Sequence, residues 1–397
     1  MKKAFTYALC GLMAAGLLTS CKDNSNDGNN GRQNTESQKE QMLKAAMTPY
    51  VENTVIATYR SMADEGLQLL SECEGILEAV DNGDDYSQLM VQAGQSWRAM
   101  RKYWEQSEAF LYGPAANHNI DPHIDSWPLD FNAMNSLLNN AQQMADIEAE
   151  GGAYVGEKLG YALKGFHAAE YFLFESEIVS GRAVGTGRPH ATNLKRAEAV
   201  YLVGIVEDLA QQAILLEDCW AGGVDEQKTA ILEEAELGYE ENYGNYMINA
   251  GKAGSLYVTY QGAAEEVIAG CVDIAGEVAD LKMGNPYLSN SDEERDYIES
   301  PYSCTSTIDF ADNIRSIYHS YCGAKDGDAS ISDYIKTQNA DLDQQVRNAI
   351  NEAIDAIEAI ENFESNAKDN PLVKTAIDKV SALEQILDEE VMALLAE

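Results

Sequence analysis

Between positions 51 and 80 apolar residues recur at intervals of three and four: Val55, Tyr59, Met62, Leu67, Leu70, Ile76, Leu77 and Val80. That spacing draws one apolar stripe along a helix and cannot serve one face of a strand. The same period returns through most of the chain. A second helix is expected over about 86–112, closed by Gly113-Pro114, because glycine permits a left-handed cap and proline cannot continue the helix. Others are expected over about 152–174, 192–220, 225–237, 256–283, 308–321, 341–362 and 372–395. No alternation of Val, Ile and Thr competes with them. Long amphipathic helices with short connections bury their stripes against each other, so the expected fold is all-α, with two up-down bundles of four-helix type. The helix ends Phe110-Leu111-Tyr112-Gly113 and Tyr318-His319-Ser320-Tyr321-Cys322-Gly323 both carry aromatics before a glycine, which points to duplication.

The first bundle is expected over residues 41–185 and the second over 186–397, separated by a Gly-rich linker at 181–189, with helices free to exchange between them. Residues 1–20 read as a secretion leader: Lys2 and Lys3, then an apolar run too short to span a bilayer. It ends in Leu18-Thr19-Ser20-Cys21, which looks like a bacterial lipobox, so Cys21 is the expected lipid attachment. An ordinary leader with an incidental cysteine is the alternative. Residues 21–40 are expected to be a flexible tether, polar and rich in Gly and Asn. Cys21-Lys22-Asp23 resembles the signal on surface-exposed lipoproteins of the Bacteroides group. The expected location is therefore the cell envelope, as an outer-membrane lipoprotein facing either the periplasm or the surface.

The chain has 27 Lys and Arg against 66 Asp and Glu, a net charge of −39. It repels phosphate backbones, which excludes a nucleic-acid binder, and attracts cations weakly. Beyond Cys10 and Cys21 the cysteines are Cys73, Cys219, Cys271, Cys304 and Cys322, with no Cys-x-x-Cys pair. Buried free thiols are expected, although Cys304 and Cys322 could pair.

The chemistry centres on Gly165-Phe166-His167-Ala168-Ala169-Glu170. A histidine and a glutamate three apart share one helix face. They can share a cation or hydrogen-bond to each other. Apolar neighbours Phe166, Tyr171, Phe172 and Phe174 suggest burial, where Glu170 must find His167, an arginine or a cation. Arg98, Arg101 and Arg315 are candidate partners, with Arg98–Glu170 and Arg315–Asp125 as candidate structural pairs. Further ligands are expected from the loop bearing Asp121, His123 and Asp125. Imidazole with carboxylates suits iron or zinc. Neither His-Glu-x-x-His nor His-x-x-Glu-His is present, so a hydrolytic zinc site would need a third ligand and a base from elsewhere. Trp97, Trp104 and Trp127 read as core, with Trp127-Pro128 also able to line a pocket. Gly185-Thr186-Gly187-Arg188 lacks the context of a phosphate loop.

Several segments together resemble the imelysin family, exported bacterial proteins classed as insulin-cleaving metallopeptidases. Its Gly-x-His-x-x-Glu signature is matched by Gly165, His167 and Glu170. Ser96-Trp97-Arg98 through Trp104 looks like its first conserved helix, and Asp125-Ser126-Trp127-Pro128 like its Asp-x-Trp-Pro loop. Ser300-Pro301-Tyr302-Ser303, with Asp309, Phe310, Asn313, Tyr321 and Gly323, looks like its C-terminal motif. The resemblance implies two helical bundles whose motifs meet near their interface, an envelope location and a link to iron uptake. It implies a metal at His167 and Glu170, supported by Gly165, Arg98, Trp127, Pro128, Asp309 and Arg315. The expected role is binding a metal, or a metal-carrying ligand such as haem, alongside iron-uptake components, on a membrane held by the lipid of Cys21. The alternatives are a metallopeptidase with the same two residues in a zinc site, and a protein- or glycan-binding module without metal. Whether the chain is an enzyme stays open, since only two ligands are identifiable.

Overall fold

The computed structural model describes residues 37–179, 182–291 and 297–397. The leader at 1–20, Cys21 and the tether through Glu36 lie outside the described residues. The first helix, Gln38–Pro49, begins inside the stretch expected to be tether, because Ser37 caps it and accepts the Glu40 N–H at 3.2 Å.

The main elements are α1 (Ala57–Asn82), α2 (Ser87–Glu105), α3 (Ile120–Ile124), α4 (Ala141–Lys158), α5 (Gly165–Leu173), β1 (Phe174–Val179), β2 (Arg182–Pro189), α6 (Arg196–Ala221), α7 (Tyr260–Glu277), α8 (Ser306–Cys322), α9 (Ala340–Glu358) and α10 (Pro371–Gln385). Helices α1, α2, α5 and α6 pack around one core, with α4 laid along α6. Helices α7, α8, α9 and α10 close a second ring. Among the described residues the architecture is all-α apart from one small hairpin. Helix α6 falls beyond the expected 185/186 boundary yet packs on α1, α4 and α5. Its central position explains its composition. It is long and apolar enough to cross a membrane by those criteria, but nearly all of it from Ala199 to Trp220 is buried among the other helices. The rings meet where α2 and the turn Glu108–Phe110 touch α8 and α7, and Ser37–Glu397 forms one compact unit.

Two local expectations are corrected. The helix expected over 152–174 breaks between α4 and α5. At Gly165 the backbone has φ +76°, and a Cβ there would sit 2.1 Å from the Ile124 carbonyl oxygen. The glycine thus lets the start of α5 lie against the end of α3. The Gly-rich stretch read as a linker is an antiparallel hairpin, pairing Ser176 with Gly185 and Val179 with Arg182. Its Glu and Gly content carries little strand propensity. Docking holds it instead: a Cβ on Gly185 would lie 2.1 Å from the Pro301 oxygen, and the Gly187 N–H donates to the Tyr302 carbonyl at 3.1 Å. All five cysteines among the described residues are free thiols; Cys73, Cys219 and Cys271 are buried, Cys322 is half-buried and Cys304 is exposed.

Gly165→Ala should be strongly destabilising, because it adds a backbone clash to a left-handed conformation. A loss of about 2 kcal/mol or more in urea unfolding is expected, whereas Gly160→Ala, where nothing lies within 4 Å of the added carbon, should be mild.

Candidate metal centre

Arg101, on the face of α2 turned to the other bundle, is 1% exposed. One turn on, Glu105 meets it. The same guanidinium contacts Asp125 and Glu299, and its Nε lies 3.5 Å from Asp309. Lys282, in the π-helical segment Val278–Met283 that continues α7, adds contacts to Glu299 at 3.2 Å and to Glu105 and Glu108 at 3.6 Å. Among the described residues, five carboxylates therefore surround two permanent cations. Neutral donors complete the shell. Trp104 Nε1 donates to Asp125 at 2.7 Å, Asn313 to Glu105, and Ser300 and Thr305 to Asp309.

His167 and Glu170 project from α5 into this cluster. His167 Nδ1 lies 3.2 Å from Glu170 Oε2. The other Glu170 oxygen accepts the Tyr302 and Ser303 N–H groups at 2.9 and 2.7 Å and the Ser303 hydroxyl at 2.7 Å. Glu170 thus positions the imidazole and fastens the segment after Glu299. Ser300 and Cys304 in that segment hold left-handed conformations, with φ of 50° and 54°, the kind of local strain that collects at functional sites. His167 Nε2 points the other way. It is 3.2 Å from Asp125 Oδ1 but, for want of alignment, makes no hydrogen bond. Asp125, His167 and Glu299 each bring a ligand atom within 4.8 Å of the others, and so do Glu105, Glu108 and Asp125. One Glu299 oxygen likewise has no hydrogen bond.

Burial pushes Glu108 and Asp309 well above the ordinary carboxylate range and Glu299 up to about 7. Burial alone would also raise Asp125, but the Arg101 guanidinium, helped by His167, holds it well below that range. Burial alone would lower His167, but Asp125 and Glu170 push it up to about 9. These raised groups favour taking up protons, which offsets the excess of carboxylates. A bound cation can replace those protons. The orphaned Nε2, the oxygen donors beside it and the carboxylate behind Nδ1 fit a metal, since ligating histidines commonly hand their second nitrogen to a carboxylate.

Of the residues singled out in the sequence, Asp125 and His167 come together, while Glu170 stands behind His167 and faces backbone donors. Asp121 lies one turn before Asp125, half-buried and outside either trio; burial and repulsion from Asp125 push it up to about 7. His123 is elsewhere: Nε2 meets Asp208 at 2.9 Å, and Nδ1 lies 3.3 Å from Lys164. Trp127 stacks obliquely on His167 at 5.9 Å and beside Lys282, with exposed Pro128 following. Arg98 donates to the Gly187 and Ser303 carbonyls at 3.0 and 2.7 Å, pinning the hairpin, and does not meet Glu170. Arg315 pairs with Asp312 and Glu358, leaving Asp125 to Arg101. Asp309 is an Arg101 partner. The sequence leaves open whether Glu105 and Glu108 face inward, and nothing in it singles out Lys282 or Glu299 as members. The Arg101/Glu105 spacing was a usable signal, whereas Glu299 sits in an irregular acidic stretch with no pattern of its own.

The Imelysin family model matches residues 55–389. The chain belongs to the imelysin family. It is 28% identical over 354 residues to iron-regulated protein A of Synechococcus elongatus, covering 87% of this chain and 85% of that protein. A crystal structure of a Parabacteroides distasonis protein, described as an iron-regulated protein A precursor, is 25% identical, with a TM-score of 0.73 over 89% of this chain and 95% of that one. An imelysin-like protein of Psychrobacter arcticum shares the fold at 10% identity, with a TM-score of 0.63 over 90% of this chain and 96% of that one.

Two outcomes follow for this imelysin. Glu170→Gln keeps the acceptor for Tyr302 and Ser303 but removes the charge behind His167. The His167 pKa, followed by NMR, should fall from about 9, with a stability loss of about 1–3 kcal/mol. The second concerns pH. His167 is raised above its ordinary 6.5, so its contribution is complete below 6.5 and lost as pH climbs through about 9. Glu299, raised above 4.5, likewise favours the fold at low pH and loses that contribution as pH climbs through about 7. Melting of metal-free protein should therefore occur at lower temperature at about pH 8.5 than at about pH 5. Glu299→Gln should flatten the lower part of that decline.

Proposed function

We propose that this imelysin is a non-enzymatic binder of a divalent cation of iron's class, held by His167, Asp125 and Glu299, and that it serves iron acquisition at the cell envelope. One observation carries the reading. His167 Nε2 is buried, lacks a hydrogen bond and faces two carboxylates, while Glu170 fixes the ring from behind. One imidazole with oxygen donors suits iron, manganese or zinc better than softer ions. The relative named iron-regulated protein A supports iron among these. Arg101 and Lys282 hold the ligand carboxylates in place and temper their mutual repulsion.

Burial favours holding over hydrolysis. Asp125, His167 and Glu299 are at most 4% exposed, and an extended peptide needs an open groove beside a metal-bound water. A small ion needs far less room. A cleft of about 180 Å³, lined in part by Glu108, Glu266, Asp273 and Glu277, offers one a carboxylate-lined approach, and Glu108 belongs also to the buried cluster. The cellular setting is part of the same proposal: lipid on Cys21 anchors the chain to the outer membrane, where iron-uptake components or haem are the expected partners.

Protein purified without chelator should carry near-stoichiometric metal by elemental mass spectrometry. His167→Ala should lose it, and Glu299→Gln should weaken binding at least about tenfold. Unchanged stoichiometry in His167→Ala would sink the assignment. Because ligation requires neutral His167 and ionised Glu299, affinity should rise from about pH 5.5 to about pH 8.

A further inference from the structure

We propose a second metal site, independent of the first, formed by Cys219, His118 and Glu241 and suited to a borderline divalent ion such as zinc. The three residues come from separate segments. Cys219 lies in the last turn of α6. His118 follows the short helix Pro114–Asn117. Glu241 lies in the loop before the helix Tyr243–Ile248. Their ligand atoms all lie within 4.8 Å of one another.

The surroundings hold this geometry firmly. Tyr239 stacks on the His118 ring at 3.5 Å between centroids and 9° between planes, fixing the imidazole. His118 Nε2 and Glu241 Oε2 are 2.8 Å apart. The Asn242 amide donates to the Ala221 carbonyl at 3.1 Å, and Tyr243 packs on Trp220 with ring centroids 4.9 Å apart. The neighbours of Glu241 are thus fastened to the neighbours of Cys219. A Cβ on Gly222 would meet the Asn242 side chain at 2.2 Å, so glycine is needed for this close approach. Asn119, directly after His118, holds a left-handed conformation with φ 54°, a strain that directs the chain past the site.

The chemistry differs from that at His167. Cys219 is fully buried, whereas the His118 and Glu241 side chains are 17% and 16% exposed, so an ion has a way in from solvent. One thiolate, one imidazole and one carboxylate make a three-ligand zinc set with a fourth position left for water. The sulfur selects against the hard ions that the oxygen-rich site favours.

Cobalt(II) titrated into chelator-stripped, full-length protein is the test. A thiolate-to-cobalt charge-transfer band should appear in the near ultraviolet and be displaced by zinc. Cys219→Ser should abolish the band, and His167→Ala should leave it intact, which separates this site from the first. His118→Phe keeps a ring against Tyr239 and should weaken cobalt binding at least about tenfold, with unchanged far-ultraviolet circular dichroism. Absence of the band in the wild-type protein at saturating cobalt overturns the proposal. So does a band that survives Cys219→Ser, or unaltered affinity in folded His118→Phe.

Discussion

Arg101 carries a full positive charge with 1% of its surface exposed, far from the water that would normally solvate it. Idealised burial of such an ion costs on the order of 20 kcal/mol, recovered only when carboxylates and dipoles enclose it closely. The enclosing groups are Glu105 on its own helix, Asp125 at the end of α3, Glu299 in the segment before α8 and Asp309 on α8. Residues on both bundles must therefore arrive together before the charge is tolerable. Lys282 extends the arrangement to the far end of α7. The bundles are joined by an ionic centre as well as by apolar packing, and removing one member leaves the others buried and uncompensated.

The family motif sits on this centre and organises it. Gly165 allows α5 to start against Ile124, one residue before Asp125. His167 then reaches Asp125 at Oδ1, the same oxygen that Arg101 holds. Glu170 turns back to collect the N–H groups of Tyr302 and Ser303, so it anchors the segment that presents Glu299. The hairpin β1–β2 closes the same segment from outside through Gly187 and Arg98. Glu170 is thus tied both to the His167 ring and to the segment that follows Glu299.

The excess of carboxylates has its own consequence. With more acids than permanent cations in a low-dielectric volume, the centre must take up protons or a metal. Protons and any bound cation would thus compete for the same groups. The centre is responsive because its charge cannot be balanced by Arg101 and Lys282 alone.

Helix after helix was legible from the spacing of apolar residues, because a helix in water must bury its stripe whatever its partner. The motif was legible too, since Gly165, His167 and Glu170 lie within one and a half turns of each other, and Asp125 was within reach of the same reasoning. His123 and Arg315 misled, because a polar residue next to a motif in sequence finds its partner in space: Asp208 for one, Asp312 and Glu358 for the other. The hairpin was missed because docking, rather than propensity, makes it, and the break before α5 because only the approach of Ile124 reveals why a glycine is needed there. Composition, periodicity and the spacing within one short motif by themselves determined the all-α class, the acidic character and the pairing of His167 with Glu170 on one helix face, because each depends on the local sequence alone. Which carboxylates enclose Arg101, that Glu299 joins His167, and that Glu170 faces backbone were decided by tertiary structure alone, since burying charge is a condition on groups gathered from distant parts of the chain.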